Sequence, residues 1–153
     1  MREYHYSVDR DGRIFHEGSE ILDPLVLRFF LRAMQRTTDG RYLVICQGER
    51  NWFETPDTPF VIQRVRCGIE QQQRLVSAEL YLAGDYHEPL APEHLESDGL
   101  YLYCRVRNGL FRARFGRNAV HPLAPFLSED RDGPFLLLDR MRHPIRPGMA
   151  ARS

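Results

Sequence analysis

The sequence predicts an α+β fold with mainly antiparallel sheets, built as two related strand-strand-helix-strand units of which the second is shortened. Three observations carry this. Short alternating apolar segments flank Asp11-Gly12 and Asn108-Gly109, pairs that suit tight hairpins because both residues tolerate positive φ. The stretch after Pro24 has helical rather than alternating periodicity. The order of signals also recurs. Asp11-Gly12, Ile14, Phe15, Gly18, a helical stretch and Asp39-Gly40 precede the apolar run Tyr42 to Cys46. Asn108-Gly109, Phe111, Phe115, Gly116, a short apolar stretch with Pro122, and Asp132-Gly133 precede Phe135 to Leu138. Repetition of a supersecondary unit is an architectural signal.

Each element has its own justification. Tyr4 to Glu17 reads as a strand pair about Asp11-Gly12. Asp23 offers a side-chain oxygen to cap a helix, Pro24 fits its first position, and Asp39-Gly40 lies past its end as stop and turn. On a helical wheel Arg28, Arg32, Gln35 and Arg36 share one narrow face, while Val26, Leu27, Phe29, Phe30, Ala33 and Met34 cover more than half the circumference, which implies cover on two sides. Tyr42 to Cys46 and Asn51 to Glu54 read as strands with Gly48 in the turn between them. Thr55 to Pro59 breaks the pattern, and Phe60 to Cys67 with Arg74 to Leu82 forms a long central hairpin. The stretch Asp85 to Asp98, charged by five carboxylates and broken by Pro89 and Pro92, reads as a connection. The expected organisation is therefore a first unit over residues 1–84, an acidic linker over 85–99, a degenerate second unit over 100–147 and a frayed tail over 148–153.

Composition limits the function. At 153 residues and 42% hydrophobic, the chain can bury one ordinary core or two small ones that share it. Its 21 basic and 21 acidic residues balance, so no overall field draws it to nucleic acid or an anionic membrane, and any such binding must be local. Every basic residue is arginine, which excludes a lysine Schiff base, a pyridoxal-phosphate anchor and a P-loop lysine. What remains is a set of permanently charged planar forks suited to carboxylate and phosphate. Cys46, Cys67 and Cys104 are odd in number and far apart, which argues against a disulfide framework or a structural zinc site. The start has no apolar h-region, and a cytoplasmic location is expected.

The sharpest local feature is the hairpin about Asn108-Gly109. With those residues as the loop, Arg107 faces Leu110, Arg105 faces Arg112, and Tyr103 faces Arg114 on one side. Leu102, Cys104, Val106, Phe111, Ala113 and Phe115 fill the other, and a one-residue slip would bury the arginines instead. Four arginines then share an exposed face, and the opposed pair Arg105 and Arg112 is unfavourable unless something neutralises it. Two readings follow. The Asp85 to Asp98 segment supplies carboxylates, or an anionic ligand or acidic partner sits on Arg105, Arg107, Arg112 and Arg114 with Tyr103 as a flat contact. Glu49, Arg50 and Asp57 are further candidates, either as turn and packing residues or as the lining of a groove between the two units.

No nucleophile motif surrounds the serines, and the cysteines lie in apolar runs that blunt reactivity. His87 and His94 with Asp85, Glu88 and Glu93 match no metal-ligand spacing, and no metal or cofactor is expected. The reading is a non-enzymatic module, regulatory in character, for a small anionic ligand or a protein partner, with nucleic acid and membrane disfavoured. The alternative is a hydrolase or transferase on a phosphate-containing substrate, with the arginines as clamp and Glu49 or Asp57 as base.

The order of residues resembles an uncharacterised bacterial family, the domain of unknown function twelve eighty-five. The resemblance runs through Asp11-Gly12, Gly18 to Ile21, the helix to Met34, Asp39 to Tyr42, Gly48-Glu49-Arg50, Pro56 to Phe60, and Val106 to Leu110. It implies a two-part α+β architecture with repeated motifs and a link to signalling, and it carries over no catalytic residues. The chain departs from the family in its compact second unit and in Arg140 to Pro144, where a glycine- and aromatic-rich strand is expected.

Overall fold

The computed structural model describes residues 2–148, and the expected tail beyond residue 148 lies outside the described residues. Alternation builds the first sheet. β1 (Glu3–Val8) and β2 (Ile14–His16) pair antiparallel, with Val8 opposite Ile14. Their turn is wider than a two-residue hairpin, because the Asp9 carboxylate accepts from the backbone N–H of Asp11 and of Arg13, both at 2.9 Å. A side chain thus substitutes for backbone turn contacts. β3 (Ser19–Glu20) extends the edge, and α1 (Pro24–Ala33) begins where the sequence places it, the Asp23 carboxylate accepting from Leu25 N–H at 2.9 Å.

The helix stops well short of Gly40. Gln35–Arg36 form the edge strand β4, which pairs with β5 (Tyr42–Cys46), and Arg107 reaches from the second half to donate to the Leu31 and Met34 carbonyls left open at the helix end. β6 (Glu49–Glu54) runs antiparallel to β5 and parallel to β1, giving a six-stranded sheet in the order β3-β2-β1-β6-β5-β4. α1 packs on this sheet through Phe30, whose ring lies 5.1 Å from Tyr6 and 5.0 Å from Phe53. The sheet covers Phe30 and the turn over Ala83–Asp85 covers Leu27, so the helix is held from two sides. Leu27, Phe30, Leu31 and Met34 are buried, while Leu22, Leu25 and Phe29 are 74%, 68% and 41% exposed.

The expected central hairpin divides into two pieces. β7 (Phe60–Ile62) leaves it to join a different sheet, and only β8 (Arg64–Glu70) and β9 (Arg74–Tyr81) pair antiparallel. The physical reason is that Phe60, Val61 and Ile62 are buried without alternation, as a strand covered on both faces must be, and the alternating pattern starts at Arg64. The segment read as a linker is structured. β10 (His87–Pro89) pairs with β9, a short 3-10 turn follows over Pro92–His94, and β11 (Leu95–Ser97) pairs with β12 (Leu102–Val106).

β12 and β13 (Phe111–Phe115) form the arginine-bearing hairpin, and β7 lies parallel to β13. Pro122 and Pro125 reduce the second helical stretch to a 3-10 helix over His121–Phe126, since prolines withhold N–H donors. β14 (Leu127–Asp130), β15 (Gly133–Leu138) and β16 (Met141–Pro144) form a separate sheet, and β17 (Arg146–Pro147) adds to the edge of β11. The pairing does not rebuild the first unit in the second half. β1 and β2 share a sheet with β5 and β6, whereas β12 and β13 lie apart from β14, β15 and β16. Residues of both expected units meet in one apolar cluster, with Val8, Leu31, Phe60, Leu80, Val106, Phe115 and Leu136 among its members. The architecture is mixed α/β, mostly strand and mainly antiparallel.

Candidate functional site

The hairpin holds the register read from its alternation: Tyr103 opposes Arg114, Cys104 opposes Ala113, and Arg105 opposes Arg112. Of the two readings of its polar face, Arg105 and Arg112 follow the one in which the acidic segment supplies the carboxylate. Glu96, on β11 beside β12, places one carboxylate between the opposed arginines, with Oε2 3.3 Å from Arg105 Nε and Oε1 3.1 Å from Arg112 Nε. Like charges set directly across a strand pair are unfavourable, and this carboxylate offsets them. Arg107 is committed elsewhere: its backbone N–H donates to Glu88 at 3.0 Å and its guanidinium caps α1.

Arg114 is the most enclosed of the four. Its side chain is 6% exposed and forms an ion pair at 3.4 Å with Asp57, itself 10% exposed, while Nη2 donates to the Arg10 carbonyl. Tyr103 is buried beside them under the Arg112 guanidinium, which lies 3.7 Å from the ring centroid. Its hydroxyl has a single proton, which it donates to Asp57 at 2.8 Å, and Asp98 stands at the longer 3.4 Å. Burial and the bond to Asp57 raise the phenol well above its ordinary range. The Thr55 to Pro59 connection thus closes over the face read as free, and the Thr58 hydroxyl donates to the Arg112 carbonyl.

Glu49 and Arg50 stand apart from Asp57. They open β6 and Asp57 follows its end, so about 13 Å of strand or more lies between them and the end from which Asp57 follows. Arg50 pairs on the surface with Glu3 at 3.6 Å. The groove expected from these three residues is therefore not assembled. The acidic segment is instead engaged within the chain: Asp85 pairs with Arg64 at the surface and Glu96 with Arg105 and Arg112, while Glu88 accepts from the Tyr86 hydroxyl and the Arg107 backbone N–H, and Asp98 from the backbone N–H groups of Leu100 and Tyr101.

Unspent charge lies on the other side of Asp57, in a cleft of about 320 Å³ lined by Arg36, Arg41, Tyr42, Trp52, Glu54 and Asp57 among others. The loop between β4 and β5 shapes one wall. Thr37 N–H donates to the Arg41 carbonyl at 2.8 Å, Arg41 N–H returns to Thr37 Oγ1 at 3.0 Å, and Gly40 takes the turn with φ of 84°. Arg41 lies flat over Trp52, 3.7 Å from its ring centroid, and Arg36 stands 5.9 Å from Tyr42. The indole is held in turn by Nε1–H donating to Glu3 at 3.3 Å. Neither arginine forms an ion pair within 4.0 Å among the described residues. Thr37 holds the nearby Asp39 carboxyl below its usual range, so that acid stays charged in the loop. Sequence reading named Arg36 only as part of the helix face and passed over Arg41, although two arginines bracketing a short turn beside Tyr42 is a visible signal.

Fold and cleft together define a mixed α/β protein of mostly antiparallel sheets with an arginine- and aromatic-lined depression and a neutralised interior. Within that class the fold is that of the DUF1285 family. A DUF1285 family protein from Silicibacter pomeroyi DSS-3 superposes with a TM-score of 0.68 at 16% identity, over 97% of this chain and 82% of that one. One from Shewanella baltica OS155 gives 0.58 at 11% identity, over 78% and 90%. The chain matches no protein-family model and no curated protein.

Proposed function

We propose that this protein is a binding module for a small anionic ligand with a flat apolar body, held in the Arg36–Arg41 cleft. The observation that carries the reading is the pair of guanidiniums without carboxylate partners, each set against an aromatic ring. With Asp57 committed to Arg114 and Tyr103, the acids that remain to oppose them are Glu54 in the lining and Asp39 in the adjoining loop, neither within 4.0 Å of either guanidinium among the described residues. Arginine forks suit carboxylate and phosphate, and stacked rings favour a planar group between them. The cleft volume is at the lower end of small-ligand sites, about 300–1,000 Å³. A regulatory role fits a module that holds an anion by charge and stacking. The hydrolase or transferase alternative finds no support here: of its candidate bases, Asp57 accepts a hydrogen bond from Tyr103 and pairs with Arg114, and Glu49 lies at the far end of β6, outside the cleft lining.

Trp52 is the one tryptophan of the sequence, so emission under tryptophan-selective excitation reports on this cleft. Titration with benzoate, phthalate and non-aromatic succinate should give a saturable change in emission, larger affinity for the aromatic anions, and loss of response in Arg41→Ala. No response to any of them, or equal response in that variant, contradicts the reading. A protein partner is the second reading, favoured by the exposed row Leu22, Leu25 and Phe29. Sedimentation of Leu25→Glu against wild type tests whether that row self-associates.

A further inference from the structure

A second cleft, of about 520 Å³, lies between α1 and the β9–β10 pair and is lined by Arg28, Arg32, Tyr81, Asp85 and His87. Arg28 and Arg32 are one turn apart on the helix and so share its outer face. Arg28 is fixed in place, with Nη1 donating to the Gly84 carbonyl at 2.7 Å. The helix packs closely on that turn, where a Cβ at Gly84 would lie 2.7 Å from Leu27 Cβ. The opposite wall is also set: Tyr81 is packed between the Arg64 guanidinium at 4.0 Å and the His87 ring at 5.0 Å. Glu79 Oε2 holds His87 Nδ1 at 2.8 Å, which leaves Nε2 free to meet a ligand.

The charge in this cleft is not balanced. Its lining carboxylate, Asp85, is paired with Arg64 at 3.4 Å, while Arg28 and Arg32 have no carboxylate within 4.0 Å among the described residues. Two arginines, a histidine and a tyrosine therefore line one open space from two walls. Donors placed on two walls suit a tetrahedral oxyanion better than a planar carboxylate, and two permanent positive charges, one of them held by the Gly84 carbonyl, suit a dianion.

We propose that the cleft between α1 and β9–β10 is a phosphate-group site, in which Arg28 and Arg32 supply the charge and His87 and Tyr81 complete the ring of polar contacts. This goes beyond the aromatic-anion reading of the first cleft and rests on different residues.

The test is an NMR titration of ¹⁵N-labelled protein with inorganic phosphate and, separately, with phenyl phosphate, each against chloride at matched ionic strength. Saturable shifts in amides of residues 28–32 and 81–87 are expected, with half-saturation at about 1 mM or below. Arg32 is exposed, so Arg32→Ala keeps the fold and should weaken binding about tenfold. His87→Gln provides an independent variant from the other wall and should weaken it as well. Tighter binding of phenyl phosphate identifies an ester as the ligand, and tighter binding of inorganic phosphate identifies the free ion. Arg41→Ala should leave these shifts unchanged, which separates failure here from failure of the first cleft. Shifts reproduced by chloride, or equal in wild type, Arg32→Ala and His87→Gln, overturn the proposal.

Discussion

Replacing Arg114 by methionine removes one partner of an enclosed ion pair and leaves the other in place. The Asp57 side chain is 10% exposed, and without Arg114 its carboxylate keeps the Tyr103 hydroxyl as its close donor. Breaking a buried pair in this way costs about 3–5 kcal/mol, because the remaining charge has lost its compensation. At about 2–4 °C per kcal/mol for a chain of this size, the melting temperature should fall by about 6–20 °C. Asp57→Leu should cost a similar amount, since it strands the guanidinium instead. The double variant should be less damaged than the sum of the two, because a neutral apolar pair carries no orphan charge. Urea unfolding followed by circular dichroism at neutral pH measures all three. A cost for Arg114→Met within about 0.5 kcal/mol, the range of an ordinary surface change, would refute the reasoning, as would strict additivity in the double variant.

Other outcomes follow from the same structure. Burial and the bond to Glu88 push the Tyr86 phenol up to about 12, and Tyr103 is raised in the same direction by burial and Asp57. A raised acid binds its proton more tightly when folded, so this stabilisation is complete below about pH 10 and is lost as pH rises through the folded-state values. Absorbance titration should show these two tyrosines ionising late in wild type, with the Tyr86 step absent from Tyr86→Phe; a single unshifted transition contradicts it. Burial pushes the Cys104 thiol up to about 12, so a disulfide reagent at neutral pH should label Cys46 and Cys67 first, and Cys104 only on unfolding. Gly84→Ala should cost about 1–3 kcal/mol, since its Cβ would meet Leu27 Cβ at 2.7 Å and the Pro24 carbonyl at 2.8 Å. Wild-type stability in that variant would show that the helix can lift from the turn.

Local chemistry was legible wherever a side chain decides the matter by itself. Asp23 and Pro24 announce a helix start, and the partition of Leu102 to Phe115 into apolar and arginine faces sets the hairpin register without any other part of the chain. Sheet membership was not legible. Phe60, Val61 and Ile62 look continuous with Arg64 onward, and only their burial on both faces, a property of the assembled molecule, sends them to β13. The repeated turn signals proved to be local: the same Asp-Gly and Asn-Gly chemistry serves strands that join different sheets. The candidate site followed this division. Carboxylates of the acidic segment near in sequence could be named as counter-charge, and Glu96 fills that role. Asp57, far from Arg114 along the chain, could be listed as polar and conspicuous but not matched to its partner. Arg36 and Arg41 bracket a short turn in plain view, but their lack of carboxylate partners is a property of the assembled molecule.

The division between neutralised and available arginines is best tested by Trp52 emission during phthalate titration of two double variants. Arg36→Ala/Arg41→Ala should keep the wild-type melting temperature and lose the response at least about tenfold in affinity, whereas Arg105→Ala/Arg112→Ala should melt differently and respond as wild type does. A response lost from the hairpin variant and retained in the cleft variant would place the ligand on the face that Glu96 and Asp57 are held here to close.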